Sequence, residues 1–283
     1  MTTVAIFGAA GSMGTRAWRA LKERPGYELL LVEAGDAGPA KLRERGLEPA
    51  DSHEAAARAD VVLLAVPDAL LAGIAANVVP HMRSGAMAMC LDPAAPYAGI
   101  LPRRDDISYF VTHPTHPPLF GDETDPDARR DFFGSGLAKQ SIVSALMQGS
   151  EDDYAQGEAI ARDLFGPILR SHRVTVEQMA LLEPALSETV AATCVTVIRE
   201  AMDEAVRRGV PPEAARDFLL GHVRIELAIV FGELDWQFSV GAKRAIEEAR
   251  GVLFRPDWRR VFDPEELRAS VERIAGVRCE PAP

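Results

Sequence analysis

The stretch Val4-Ala5-Ile6-Phe7-Gly8-Ala9-Ala10-Gly11-Ser12-Met13-Gly14 decides how the chain is read. Four apolar residues make a short strand, a glycine-rich turn follows, and Thr15 to Arg24 continue with helical character until Pro25-Gly26 stops them. Glycines placed where a strand feeds a helix leave backbone amides bare, so a pyrophosphate can approach the helix N-terminus. The spacing is G-x-x-G-x-x-G, with Ala9 where the commonest dinucleotide fingerprint carries its first glycine. Glu33 closes the next apolar run, Glu28 to Val32, about 20 residues downstream, where an acid binds the adenosine ribose diol. Gly8, Gly11, Ser12, Met13, Gly14 and Glu33 are therefore expected to hold a dinucleotide. A carboxylate at Glu33 repels a 2′-phosphate and no arginine follows it in Glu33-Ala34-Gly35-Asp36, so NAD is expected over NADP.

The same alternation continues outward. Val61 to Val66, Ala86 to Leu91 and Ile107 to Val111 are buried-strand candidates separated by helical or turn segments. Lys139 to Met147 and Ile168 to Val174 add two more around a helix from Glu151 to Phe165. Strands alternating with helices imply an α/β architecture, a doubly wound, mainly parallel sheet with helices on both faces. In such sheets ligands gather at the carboxyl edge. Pro67 and Asp68 follow one strand there and are expected beside the cofactor, although Asp68 equally fits a helix N-cap; Asp92-Pro93 has the same two readings.

At that edge the chain reads Thr112-His113-Pro114-Thr115-His116-Pro117-Pro118, with two of the six histidines each in front of a proline. Proline disfavours the α conformation in the residue before it, so His113 and His116 are expected in extended backbone. A polyproline-like run would set the two rings about 9 Å apart, whereas a turn at Pro114 would draw the ends within about 7 Å. The stretch is either a rigid surface turn or a pair of imidazoles held beside the nicotinamide for proton transfer or metal binding.

The second half is helical. Thr175-Val176-Glu177-Gln178 matches a capping box and opens a helical pattern that runs to Arg208, which places a boundary between a dinucleotide-binding domain, residues 1–175, and an all-α domain, residues 176–283. Pro184 removes a backbone hydrogen bond inside that helix and implies a kink near Leu182-Glu183. Glu183 lies between the apolar triplets Ala180-Leu181-Leu182 and Pro184-Ala185-Leu186, so it is expected to be half-buried and to need a partner, His113 or a metal held between the two. Helices from Pro212 to Phe231, from Ser239 to Arg250 and from Pro264 to Gly276 follow, with Arg224 either a carboxylate clamp or half of an ion pair. His53, His81 and His172 read as surface residues, and the tryptophans as core or interface anchors.

Bulk properties exclude several classes. With 283 residues, 47% of them hydrophobic, the chain fills a real core, and a net charge of -11 argues against nucleic-acid and anionic-membrane partners. Cys90, Cys194 and Cys279 show no CxxC spacing, and the first residues lack the basic flank of a signal peptide, so a reduced cytoplasmic protein is expected. Apolar segments at Leu219-Leu220 and Leu227 to Phe231 point to a homodimer through the helical domain.

These features together resemble the 3-hydroxyacid and 6-phosphogluconate dehydrogenase superfamily, through FGAAGSMG, Glu33, AVPD at Ala65 to Asp68, THP at Thr112 to Pro114 and LLEPALSET on the long helix. The histidine-proline pair is also similar to that of prephenate dehydrogenases. The resemblance covers the whole chain and implies an N-terminal Rossmann domain joined to a helical domain, and an NAD-dependent oxidoreductase acting on a secondary alcohol of a small anionic hydroxy or sugar acid. The superfamily's usual catalytic lysine is absent, because residues 175–208 contain no lysine. The chain is most similar to the sugar-acid oxidoisomerase branch, which implies oxidation coupled to a 1,2-migration and hence a Lewis acid for two adjacent oxygens. A divalent ion, zinc, manganese or magnesium, on His113 and Glu183 would fill that role, with His113, His116 and Glu183 as the catalytic set. Two alternatives stand beside it: a metal-free 3-hydroxyacid or prephenate-type dehydrogenase with His113 as base and Glu183 orienting it, and a non-catalytic NAD-sensing protein.

Overall fold

In the computed structural model, which describes residues 1–276, seven strands form one sheet in the order β2-β1-β3-β4-β5-β6-β7. They are β1 (Thr2–Phe7), β2 (Tyr27–Val32), β3 (Val61–Leu64), β4 (Met87–Cys90), β5 (Ser108–Pro114), β6 (Gln140–Gln148) and β7 (Ile168–Arg173). All neighbours run parallel except β5 and β6. Every residue of β3 and β4 is buried, which is why these strands read as unbroken apolar runs instead of alternating ones.

Helices cover both faces. On one lie α1 (Ser12–Leu21) and the later α6 (Glu151–Phe165), packed with Ile6, Leu63, Met89 and Phe110. Gly157 allows that packing: a Cβ there would sit 2.5 Å from the Phe110 ring. α2 (Ala37–Glu44) follows β2, and α3 (Ser52–Arg58) and α4 (Asp68–Val78) cover the other face with Ala55, Ala56, Leu71, Ala75 and Val78. The short α5 (Ala94–Ala98) follows β4. Strand order reverses between β2-β1 and β1-β3, so the carboxyl ends of β1 and β3 flank the crevice where such sheets bind nucleotides.

The long helix starts as expected. Thr175 and Gln178 exchange both capping-box hydrogen bonds at the head of α7 (Val176–Ala180). Pro184 does more than kink the helix: residues Leu181–Ala192 form a π-helix, and α8 (Thr193–Arg207) resumes the α geometry. A proline nitrogen cannot donate, and the wider turn accommodates the loss, with the Thr189 hydroxyl donating to the Pro184 carbonyl at 2.6 Å. The chain separates into two compact units, one of Met1–Glu183 with Arg268 onward, the other of Pro184–Leu267. Glu183 is thus the last residue of the nucleotide-binding unit's first segment, and the unit resumes at Arg268 within α11 (Pro264–Ala275), where Val271 packs on Ala94 and Ala98 of α5.

The second unit contains α9 (Pro212–Val230) and α10 (Val240–Leu253) besides α8, and neither α8 nor α10 has a single buried residue. The helix Val176–Arg207 is long and apolar enough to span a membrane by composition, with 11% of its apolar window buried. His53 and His81 are exposed, as expected of surface residues, and stack on each other at 3.8 Å. Arg224 forms no ion pair among the described residues. Cys90 is buried in β4, where burial pushes its thiol up to about 12, whereas Cys279 lies outside the described residues.

Candidate active site

The glycine loop sits at the strand-order reversal, and two of its glycines are sterically required. Gly8 has φ +82°, and a Cβ there would press into the Ala65 carbonyl just beyond β3. At Gly14 a Cβ would fall 2.6 Å from Ala9 Cα and 2.7 Å from the Gly8 carbonyl carbon, so α1 could not lie against the loop. Gly11 is the N-cap of α1, leaving the amides of Ser12 and Met13 to open the helix with no acidic residue in the first turn. Beside the loop is a cavity of about 550 Å³ lined by Gly8, Gly11, Glu33, Lys41 and Pro67 among polar and small groups, with Val66, Leu70, Ile74 and Val78 as its apolar wall. Glu33, just after β2, faces that cavity and accepts the Ala10 amide at 2.5 Å. An apolar slot with one acid at its rim suits an adenosine.

A second group of polar side chains converges at the carboxyl ends of β3, β4 and β5. His113 is the penultimate residue of β5, paired with Val143 of β6, so its extended backbone is as expected. Its Nδ1 lies 2.8 Å from the Pro114 carbonyl, and a carbonyl can only accept, so Nδ1 carries the proton and the Nε2 lone pair is free. That Nε2 faces Glu183 at 3.9 Å, too far for a hydrogen bond. Burial holds the His113 imidazole below its usual range although the charge of Asp92 pulls the other way, which keeps the ring neutral. Burial likewise lifts the Glu183 carboxyl above its usual range, with His116 opposing and Asp68 adding. Ligand atoms of Asp92, His113 and Glu183 all lie within 4.8 Å of one another, and all three residues are half-buried.

Sequence reasoning left Asp92 as an N-cap or a cofactor contact, and the N-cap position of α5 is taken by Pro93. The Asp92 Oδ1 accepts the Ala94 amide at 2.7 Å just ahead of α5, while the carboxylate also faces His113. Asp68 is not an N-cap: Pro67 takes that position and no side chain caps α4. Asp68 is instead a half-buried carboxyl pushed up to about 6 by burial and then by the charge of Asp92. Pro67 lines the cavity beside the glycine loop.

His116 departs from its expected extended backbone and has φ +59°, the one non-glycine residue in the left-handed region among those described. The chain leaves the sheet at Thr115, whose amide donates to the Ser141 carbonyl. The proline that follows disfavours the right-handed alternative. The two imidazoles lie edge to face with centroids 6.2 Å apart, although Pro114 ends β5 paired with Ile142 and makes no turn, so neither the extended run nor the turn at Pro114 is the geometry found. Strain of this kind persists where the surroundings hold it, and it clusters at functional sites.

A glycine loop with an acid just after β2, beside an imidazole and carboxylates, defines an NAD-dependent oxidoreductase acting on a CH–OH donor. Comparison with known proteins agrees. Residues 121–275 match the phosphogluconate dehydrogenase (decarboxylating) C-terminal family, and residues 1–114 match the acetohydroxy acid isomeroreductase NADPH-binding domain. D-apionate oxidoisomerase of Cupriavidus necator is 54% identical over 96% of this chain and 98% of its own, and that of Rhizobium rhizogenes is 52% identical over 97% and 100%. A crystal structure of a semialdehyde dehydrogenase NAD-binding protein from Cupriavidus necator, in complex with calcium and NAD, superposes with a TM-score of 0.93 at 53% identity over 97% of this chain and 99% of that one. The chain belongs to the D-apionate oxidoisomerase family. The expectation of a non-catalytic NAD sensor is set aside by this membership.

Proposed function

We propose that the enzyme oxidises D-apionate with NAD and moves a hydroxymethyl group between adjacent carbons, giving 3-oxo-isoapionate, at a centre formed by Asp92, His113 and Glu183. The observation that carries this reading is the convergence of a neutral imidazole nitrogen and two carboxylates at the carboxyl edge of the sheet, with ligand atoms within 4.8 Å. One nitrogen with two anionic oxygens is a donor set suited to zinc, manganese or magnesium. His113 presents Nε2 to it because Nδ1 is committed to the Pro114 carbonyl, the usual orientation of a ligating histidine. A divalent cation held by these three residues would supply the Lewis acidity that migration between two oxygen-bearing carbons requires. His113 and Glu183 are therefore ligands, and Asp92 joins them. In the metal-free alternative His113 is the base and Glu183 orients it, and turnover that resists chelation would favour that reading.

The remaining residues have separate tasks. Glu33 receives the adenosine ribose hydroxyls and disfavours the 2′-phosphate of NADP. The amides at Gly11, Ser12 and Met13 meet the pyrophosphate. His116, beside His113 and electrostatically coupled to Glu183, accepts the proton of the hydroxyl being oxidised. Asp68 adds negative charge that favours a cation over a bare substrate carboxylate.

The enzyme works as a homodimer in the cytoplasm on this reading, with a small anionic substrate and neither nucleic acid nor membrane as partner. Supporting the dimer, α8 and α10 bury nothing within the chain while Val195, Phe218, Phe231 and Val252 are exposed at 61%, 69%, 70% and 84%. Helices without a buried face are not stable alone in water, so another copy covers them. The test of the activity is purified protein incubated with D-apionate and NAD, followed by absorbance of NADH and mass analysis of the product. NADH formed together with a rearranged carbon skeleton supports the proposal; NADH from other hydroxy acids but none from D-apionate refutes the substrate.

A further inference from the structure

Arg16 is a charged residue with only 8% of its surface exposed, one turn into the helix that opens at the glycine loop. Burying a guanidinium is costly, and desolvation pulls Arg16 down to about 10 despite the opposing charge of Asp131. Among the described residues it has no carboxylate in direct contact; its donors go to two main-chain carbonyls of one turn, Phe133 at 3.2 Å and Gly134. Its plane lies 5.0 Å from the centroids of the Phe133 and Phe165 rings. Asp131 secures the same turn from the other side by accepting the amides of Ser135, Leu137 and Ala138 at 2.7, 3.0 and 3.2 Å. Gln140 also donates to the Gly134 carbonyl, at 3.2 Å.

The Phe133 carbonyl has a second partner. His116 Nδ1 lies 3.2 Å from it, and the His116 ring rests on the Phe133 ring at 5.5 Å. A carbonyl has two lone pairs and no proton, so one is taken by Arg16 and the other must receive a proton from His116. His116 is thereby held as the Nδ1-protonated tautomer with its Nε2 lone pair free. We propose that Arg16 is a positioning residue for His116: a strut from the cofactor-binding helix to the Phe133-Gly134 turn that fixes the carbonyl which sets the His116 tautomer and sustains its left-handed backbone. Because Ser12 and Arg16 are one turn apart on α1, the dinucleotide loop and this imidazole are referenced to a single rigid element. The proposal rests on the assignment of His116 to proton transfer, and its test has an arm that does not need substrate.

In that arm the protein is labelled with ¹⁵N-histidine, and the ring nitrogens of His116 are identified by their loss in His116→Ala. The parent is expected to show one tautomer at His116, protonated at Nδ1. Arg16→Met should shift these signals towards a mixture of tautomers, and Arg16→Lys, which keeps the charge but only one direction of donation, should lie between. An unchanged His116 pattern in both variants overturns the proposal. The second arm is a double-mutant cycle on D-apionate turnover. Arg16→Met should lower kcat by ~10-fold or more, as expected when a proton-transfer group is misplaced, while the NAD dissociation constant stays within ~2-fold. In a His116→Ala background the same substitution should cost nothing further, whereas effects that multiply show Arg16 acting independently and overturn the proposal. Should Arg16→Met not fold, Arg16→Lys supplies both readings. A parent inactive on D-apionate would refute the substrate reading alone and leave the tautomer result to decide the role of Arg16.

Discussion

Replacing Glu33 by alanine tests how the enzyme chooses its cofactor. The carboxylate follows β2 at the nucleotide cavity and accepts the Ala10 amide. With NAD bound it would accept ribose hydroxyls instead, and a hydrogen bond to a charged group contributes about 1.5–3 kcal/mol. With NADP it would face a phosphate of roughly -1.5 charge; at about 5 Å and an effective dielectric of about 40 the repulsion is about 2.5 kcal/mol. Part of this is lost to solvent screening because Glu33 is only half-buried. Glu33→Ala should therefore weaken NAD by about 10-fold or more and tighten NADP, moving the ratio of affinities by at least about 100-fold. Lys41 lines the same cavity and remains to attract the phosphate in the variant. Calorimetric titration of both cofactors into parent and variant measures the ratio. Equal affinities in the parent, or a ratio unmoved by the substitution, would refute the reasoning. The match of residues 1–114 to a domain described as NADPH-binding makes this an informative contrast, since it is Glu33, not the fold, that is argued to decide.

Three further outcomes are expected. Gly14→Ala places a Cβ 2.6 Å from Ala9 Cα, a backbone atom that cannot yield, and should reduce NAD affinity ~10-fold or more and lower stability by roughly 1–3 kcal/mol in a denaturant titration. Metal affinity should fall on acidification between the ordinary values of 6.5 for histidine and 4.5 for glutamate: Glu183 is raised and must lose its proton to ligate, while lowered His113 stays neutral until it too is protonated. Manganese titrations at stepped pH measure this, and constant affinity down to pH 4.5 would exclude Glu183, whose carboxyl is raised above that value, as a ligand. Light scattering at micromolar concentration should give the mass of two chains of 30.6 kDa, and a monomer would leave the exposed faces of α8 and α10 unaccounted for.

Local chemistry was legible in the sequence, and convergence from distant segments was less so. The glycine loop announces itself because three glycines within seven residues, fed by an apolar strand, answer one steric demand, visible at Gly8 and Gly14. The capping box at Thr175 is read equally well because both of its bonds span three residues. Glu183 could be connected to His113 only through its apolar neighbours, which marked it as an acid in need of a partner. Asp92 escaped because an Asp-Pro pair after a strand matches a helix-capping pattern, whereas Pro93 takes the cap and the Asp92 carboxylate faces the site. The left-handed backbone of His116 was missed because the proline rule gives only the usual preference. Nothing in the run Leu181–Ala192 distinguishes a π-helix from a kink, since both follow from the missing proline donor. Arg16 carries no sequence signal, because its partners Phe133 and Gly134 lie more than a hundred residues away.

The centre at Asp92, His113 and Glu183 is the claim on which the rest depends, and elemental analysis of the purified protein before and after chelation, coupled to D-apionate turnover, tests it most directly. The parent should carry about one divalent ion per chain, lose activity on exhaustive chelation and regain it on adding the ion back. Asp92→Ala, His113→Ala and Glu183→Ala should each lose most of the metal while still titrating with NAD, because the glycine loop that holds the dinucleotide is built from other residues. A parent that turns over D-apionate at its full rate with no metal left after chelation would contradict the account.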